Sequence, residues 1–150
     1  MITKITDLTI ALDFIVNVYK NTIAHEDSKA GQNSFVNKYV YGKETYQSFN
    51  IGNEEYYGYY LEKLTGVISL NSQGYVKYLF VDPMFKGQGI GRKLLEYVTT
   101  LSRKRNISKI TLDSSISNVG FYLKEGFVKI SDVIVKDEIK YIPMEKILKK

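Results

Sequence analysis

The sequence predicts an α+β fold, on three observations. Apolar residues recur at three- and four-residue spacing between Leu8 and Val40. Tyrosines and β-branched residues then gather in short runs between turn signals. Finally, a glycine-rich punctuation at Lys86–Arg92 leads into a further amphipathic helix. No Pro-, Gly- or Ser-rich linker divides the 150 residues and no segment recurs at a fixed spacing, so a single domain over 1–150 is expected.

Taken in order, Asp7 can cap a helix whose buried face carries Leu8, Ala11, Leu12, Ile15, Val18 and Tyr19 and which ends near Asn21. Ala24 to Ser28 reads as a polar loop. Ser28 then caps a second helix with Phe35, Val36, Tyr39 and Val40 on one side, stopped by Gly42. From Thr45 the pattern reads as a β-meander, with strands near Tyr56–Leu61, Leu64–Leu70 and Tyr75–Val81 paired consecutively and antiparallel. After Asp82-Pro83 and the glycine-rich stretch comes a helix with Ile90, Leu94, Val98 and Leu101 on one face, closed by the cations of Arg103-Lys104-Arg105. Lys109–Asp113 reads as a strand, Val119–Glu125 as a short helix stopped by Gly126, and Phe127–Val135 with Glu138–Lys146 as a final hairpin.

Composition removes several classes of chemistry. The chain has no cysteine and one histidine, which excludes disulfides, thiolate catalysis and multi-His or Cys-based metal centres; no metal is expected. No apolar run approaches the ~20 residues of a bilayer span, and no amino-terminal targeting pattern is seen, so a cytoplasmic location without a membrane partner is the expectation. The formal charge of +5 and pI of about 9.2 favour an acidic partner such as a phosphate-bearing cofactor. The basic run at 103–105 and the tail Lys146, Lys149, Lys150 share no face by sequence, so nucleic acid is not expected.

A strand running through a glycine-rich turn into a helix gathers unpaired backbone amides at the positive end of the helix dipole, where anions bind. Gly87, Gly89 and Gly91 permit close approach to the main chain, and Lys86 and Arg92 add charge at the rim. Two familiar phosphate loops fail on spacing. A dinucleotide fingerprint begun at Gly87 and Gly89 needs glycine where Arg92 stands, and a Walker loop needs a Gly-Lys-Ser/Thr ending that is absent.

The segment Leu79 to Leu95 resembles instead the acyl-CoA-binding motif of the GNAT superfamily of N-acetyltransferases: Arg or Gln, two residues, Gly, one residue, Gly or Ala. Lys86 stands where Arg or Gln is usual, which keeps the positive charge. Ser115 to Phe127, with Phe121-Tyr122 and Gly126-Phe127, resembles the family's second motif, with Ser115 where Asn is frequent. The resemblance covers residues 45 to 146. It implies a GNAT fold, a mixed central β-sheet with a splayed V-shaped cleft flanked by about four helices.

It also implies an acetyl-CoA-dependent N-acetyltransferase that passes its acetyl group to a primary amine by direct attack on the thioester. Small-molecule and peptide amines are both open as acceptors, and a homodimer is the assembly the family suggests. The main chain of Leu79, Phe80 and Val81 would hydrogen-bond the pantetheine arm. The amides of Gly87, Gln88, Gly89, Ile90, Gly91 and Arg92, beside Lys86, would hold the pyrophosphate, and Ser115, Phe121 and Lys124 complete the cofactor-binding set. Leu79 N–H is the implied oxyanion donor and Tyr122 the implied acid for the departing thiolate. A phenol of pKa about 10 stays protonated where a thiol of about 8.5 begins to ionise.

For the general base, Glu54, Glu55, Glu62, His25 and ordered water are the alternatives. Alternation sends Tyr57 and Tyr59 to one sheet face and Tyr56 and Tyr60 to the other, and one pair is a candidate lining for an amine-acceptor cleft. A non-catalytic CoA-binding regulatory or sensor module on the same fold is the alternative function. A basic nucleic-acid-binding domain is a third reading, carried by charge and tyrosine content alone.

Overall fold

The computed structural model describes residues 1–149, so Lys150 of the basic tail lies outside the described residues. The elements are β1 (Ile2–Lys4), α1 (Leu8–Thr22), α2 (Lys29–Asn33), α3 (Lys43–Asn50), β2 (Glu54–Tyr60), β3 (Leu64–Asn71), β4 (Tyr75–Val76), β5 (Leu79–Val81), α4 (Ile90–Lys104), β6 (Lys109–Ser114), α5 (Val119–Lys124), β7 (Val128–Lys129), β8 (Ile134–Lys136) and β9 (Ile139–Ile147). One sheet runs β1-β2-β3-β5, antiparallel throughout. The other runs β4-β6-β9-β7, with β8 also on β9, and its β4–β6 pair is parallel.

Strand alternation sorts the core onto two faces. Tyr57, Ile68 and Leu70 join Leu94, Val98, Ile110, Phe127 and Met144 beneath α4 and α5. Tyr56 and Val67 point the other way and join Leu12, Ile15 and Val16 of α1 and Val40. Asp7 caps α1 by accepting from Thr9 N–H at 3.1 Å, and Ser28 caps α2 by accepting from Gly31 N–H at 3.1 Å, both as the sequence predicts. Beyond α2 the coil widens into a π-helical stretch, Ser34–Val40, which ends at Gly42. An added Cβ on Gly42 would lie 1.9 Å from Lys38 O, so only glycine permits the chain to reverse there.

Three elements depart from the sequence reading. Thr45 does not begin a β-meander: residues 43–50 form α3, because Gly42 ends one helix and also caps the next, while Thr45 is buried and donates to Tyr39 O at 2.6 Å. The expected strand Tyr75–Val81 is broken. Its first half pairs with β6 and its second with β3, and between them Tyr78 N–H donates to the Ser69 hydroxyl at 2.9 Å in place of a ladder bond. The last hairpin is likewise divided, since β7 and β8 both pair with β9. The break after Val76 is what positions the site: the two sheets separate there and leave the edge of β5 unpaired.

Candidate active site

Between the separating sheets lies a cavity of about 350 Å³. Its walls come from α1 and the turn after it, the π-helical stretch, β4, β5, β6, the start of α5 and the β8–β9 hairpin, so it is closed only by residues far apart in sequence.

Past the end of β5 stands the glycine loop, none of whose residues is part of that wall. Gly87 and Gly89 have φ of +84° and +74°, a left-handed conformation that L side chains rarely adopt, and a Cβ on either would meet nothing within 4 Å. The glycines are therefore required by the backbone turn, and the space before them is open. Lys93 is the first residue of α4 to bond back, to Gly89 O at 3.0 Å, which leaves the amides of Ile90, Gly91 and Arg92 as the unpaired donors of a helix start. No turn or cap hydrogen bond among the described residues uses the amides of Gly87, Gln88 or Gly89. Lys86 and Gln88 are exposed, and Arg92 reaches Glu96 at 3.1 Å and Glu125 at 3.7 Å. The arrangement suits a dianionic phosphate ester: convergent N–H groups, a helix dipole and nearby cations.

The ladder decides which β5 groups face the cleft. Ser69 N–H donates to Tyr78 O and Asp82 N–H to Thr65 O, both at 2.9 Å, which makes Val67–Phe80 the hydrogen-bonded pair and Ile68–Leu79 and Gly66–Val81 the non-bonded ones. The N–H and C=O of Leu79 and Val81 therefore point to the open edge. Those of Phe80 face β3, a correction to the expectation that three consecutive residues bond an extended ligand: alternation allows only every second one.

Tyr122 and Leu79 both line the cavity. Tyr122 is buried, its ring edge-on to Phe121 and Phe127 with centroids 5.2 and 5.7 Å away, and burial alone raises its pKa. Ser115 also lines the cavity, and its hydroxyl is buried with no hydrogen-bond partner among the described residues. Phe121 packs near the helix start, its Cζ 3.5 Å from where a Cβ on Gly91 would sit. Lys124 is exposed at the end of α5 and is not part of the cavity wall.

None of the side chains weighed as general base lines this space. Glu54 is buried and accepts from Tyr56 O–H at 2.7 Å. Glu55 is partly buried, which opposes its charge, but bonds from Arg105 at 2.5 Å and Lys4 at 2.9 Å prevail and lower its pKa to about 2. Glu62 is exposed in the β2–β3 turn and His25 in the turn after α1. Tyr56, Tyr57, Tyr59 and Tyr60 are also absent from the wall: Tyr56 and Tyr57 are buried in the two cores, and Tyr59 lies under Lys93 of α4.

The wall carries instead Tyr19, Tyr39, Tyr75, Tyr78 and Tyr141 with the carboxylates of Glu26, Asp27, Glu44 and Asp113, which sequence reasoning missed. One signal was present. In β6 the buried residues Ile110, Leu112 and Ser114 alternate with Thr111 and Asp113, which marks a second, polar face.

The tip of the β8–β9 hairpin is tied to the helical side of this wall. Asp137 accepts from Tyr39 O–H and from Lys38 at 3.1 Å. Lys140 N–H donates to Asp27 at 2.9 Å, while Tyr19 O–H donates to the other oxygen of Asp27 at 2.7 Å. A Cβ on Gly31 would lie 2.1 Å from Glu138 O, so helix and hairpin touch backbone to backbone. Among the described residues no group of three or more His, Cys, Asp or Glu side chains could hold a metal ion, and no helix is long and apolar enough to cross a membrane.

The chain belongs to the GNAT family of acetyltransferases: its residues 22–148 match the acetyltransferase (GNAT) domain. A GCN5-related N-acetyltransferase of Rhodopseudomonas palustris superposes with a TM-score of 0.80 at 18% identity, over 99% of this chain and 95% of that one. The PaiA N-acetyltransferase of Thermoplasma acidophilum, solved in complex with coenzyme A, superposes with a TM-score of 0.75 at 23% identity, over 99% and 98%. In sequence, the chain is 37% identical over 54 residues to a glucosamine 6-phosphate N-acetyltransferase of Trypanosoma brucei brucei, a match that covers 36% of this chain and only 37% of that relative.

Proposed function

We propose that this protein is an acetyl-CoA-dependent N-acetyltransferase that transfers the acetyl group directly to a primary amine, borne by a small molecule or a peptide. The observation that carries the reading is that Leu79, with its N–H on the open strand edge, and Tyr122 line one cavity, and that the strand bearing Leu79 runs on into the open amide loop of Gly87–Arg92.

Acetyl-CoA supplies an activated acetyl group as a thioester; the protein binds and orients it. The amides of residues 87–92, with Lys86 and Arg92 at the rim, hold the pyrophosphate. Leu79 and Val81 offer main-chain groups to the pantetheine arm, as a sheet edge does to an added strand. The partnerless Ser115 hydroxyl is placed to satisfy an amide of that arm. As the amine attacks, Leu79 N–H donates to the carbonyl oxygen on which charge develops. The Tyr122 hydroxyl, protonated across the neutral range because burial raises its pKa, gives its proton to the departing sulfur.

The test is a titration with CoA followed by a thiol-release assay with acetyl-CoA and a panel of primary amines. One-site binding at micromolar concentration and amine-stimulated release are expected. Absence of CoA binding contradicts the reading.

A further inference from the structure

Deepening that reading, we propose that Asp113 is the group that receives the acceptor's ammonium and takes its first proton. Four carboxylates line the cavity; two are engaged elsewhere and a third is borne by a helix and not by the parting strands. Glu26 accepts from the Ser117 hydroxyl at 2.6 Å, Asp27 is held by Tyr19 and the Lys140 amide, and Glu44 is an exposed residue of α3. Asp113 makes one side-chain bond, from Tyr75 O–H to Oδ2 at 2.8 Å, which fixes the carboxylate and leaves Oδ1 available.

Its position suits the role. Val76 pairs with Leu112, the residue before Asp113, and Leu79 follows Val76 by three residues, so the carboxylate on β6 and the oxyanion donor on β5 stand on the two strands that part here, and both line the cavity between them. Asp113 is reached by solvent through the cavity, yet the protein around it is dense enough that burial raises its pKa, against the Tyr75 bond and the charge of Lys136. Desolvation in the same cavity lowers the pKa of a bound ammonium, so the two groups approach each other in proton affinity. Besides the four carboxylates, Tyr75 and Lys136, the charged or titratable groups lining the cavity are Lys77, Lys140, Tyr19, Tyr39, Tyr78, Tyr122 and Tyr141.

The protons and bonds balance as follows. The ammonium yields one proton to Asp113 Oδ1. The freed nitrogen lone pair forms the C–N bond while the carbonyl π pair moves to oxygen. Collapse of that oxyanion breaks the C–S bond, and the thiolate takes the Tyr122 proton. The positive nitrogen's second proton restores Tyr122, and Asp113 later releases its proton to water.

Two experiments test this. In the first, Asp113→Asn, which keeps an oxygen for Tyr75, and Asp113→Glu are compared with wild type using the amine of highest turnover in the panel. Asp113→Asn is expected to lower kcat/KM about 100-fold, to abolish the fall in kcat/KM that wild type shows as pH drops through the Asp113 pKa, and to leave CoA affinity and melting temperature unchanged; Asp113→Glu restores part of the rate. An unchanged rate and pH profile in Asp113→Asn overturns the proposal, as does a rate loss matched by lost CoA affinity. The second needs no turnover. The carboxyl carbon of Asp113 is titrated by NMR in CoA-loaded protein with butylamine or butanol added. Butylamine alone is expected to lower its pKa, because an adjacent cation favours the carboxylate; no difference between the two overturns the proposal. A wild type that binds CoA but acetylates no amine in the panel contradicts the acetyl-transfer reading, while the NMR result still decides whether Asp113 seats a cation.

Discussion

The two ends of the site, the glycine loop and the cavity beside the hairpin, are built in opposite ways. The loop end is made by one continuous segment: six successive amides, two glycines with positive φ and a helix start, all within Gly87–Arg92. The hairpin end is assembled from groups about a hundred residues apart, the Tyr39 and Asp137 side chains and the Asp27 carboxylate with the Lys140 amide, among several tyrosines. The first needs only a local turn, and its donors are main-chain groups common to every residue. The second depends on which side chains the fold brings together. Binding of a shared cosubstrate suits the first construction, and discrimination among acceptors suits the second.

Separate damage to each end sharpens this comparison. The largest effect is expected at the junction. Tyr122→Phe removes the proposed proton donor without removing the ring that packs on Phe121 and Phe127, so kcat should fall by about 100-fold or more while CoA affinity, read by titration, stays within error. Loss of both together would make Tyr122 a packing residue.

At the loop end, Gly89→Ala places a Cβ on a backbone with φ of +74° but meets no neighbour. Stability should fall by about 1 kcal/mol, and KM for acetyl-CoA should rise with little change in KM for the amine. At the hairpin end, Asp137→Ala releases Lys38 and Tyr39 from a solvent-screened pairing that contributes little to stability. The expected result is the mirror image and the smallest of the series: a several-fold rise in amine KM, CoA affinity intact and a melting temperature lowered by a few degrees at most. Equal effects of the two variants on both substrates would erase the distinction between the ends.

The same contrast explains what could be read in the sequence. Helix α1 was legible because its buried stripe and its Asp7 cap are local features, and the loop was legible because its glycine spacing is one. Strand β6 was found, but the destination of its polar face was not. Asp113 is fixed by Tyr75, whose place beside it is set by a parallel pairing between segments 36 residues apart, as in Tyr75 with Thr111. The break after Val76 was hidden for a similar reason: Tyr75–Val81 is uniformly β-favouring, and only the Ser69 hydroxyl, from another strand, interrupts its ladder. Helix α3 was missed because its tyrosine and threonine suggest strand, while its formation rests on Gly42 and on burial of Thr45.

The central claim is that main-chain donors just past Lys86 hold the diphosphate of CoA. Following the backbone amide resonances of the protein during titration with CoA tests it most directly. Saturable shifts concentrated at residues 87–92, with smaller ones at Leu79, Val81 and Ser115, are the predicted result. Binding that leaves the amides of 87–92 unmoved, or no binding at all, would contradict it.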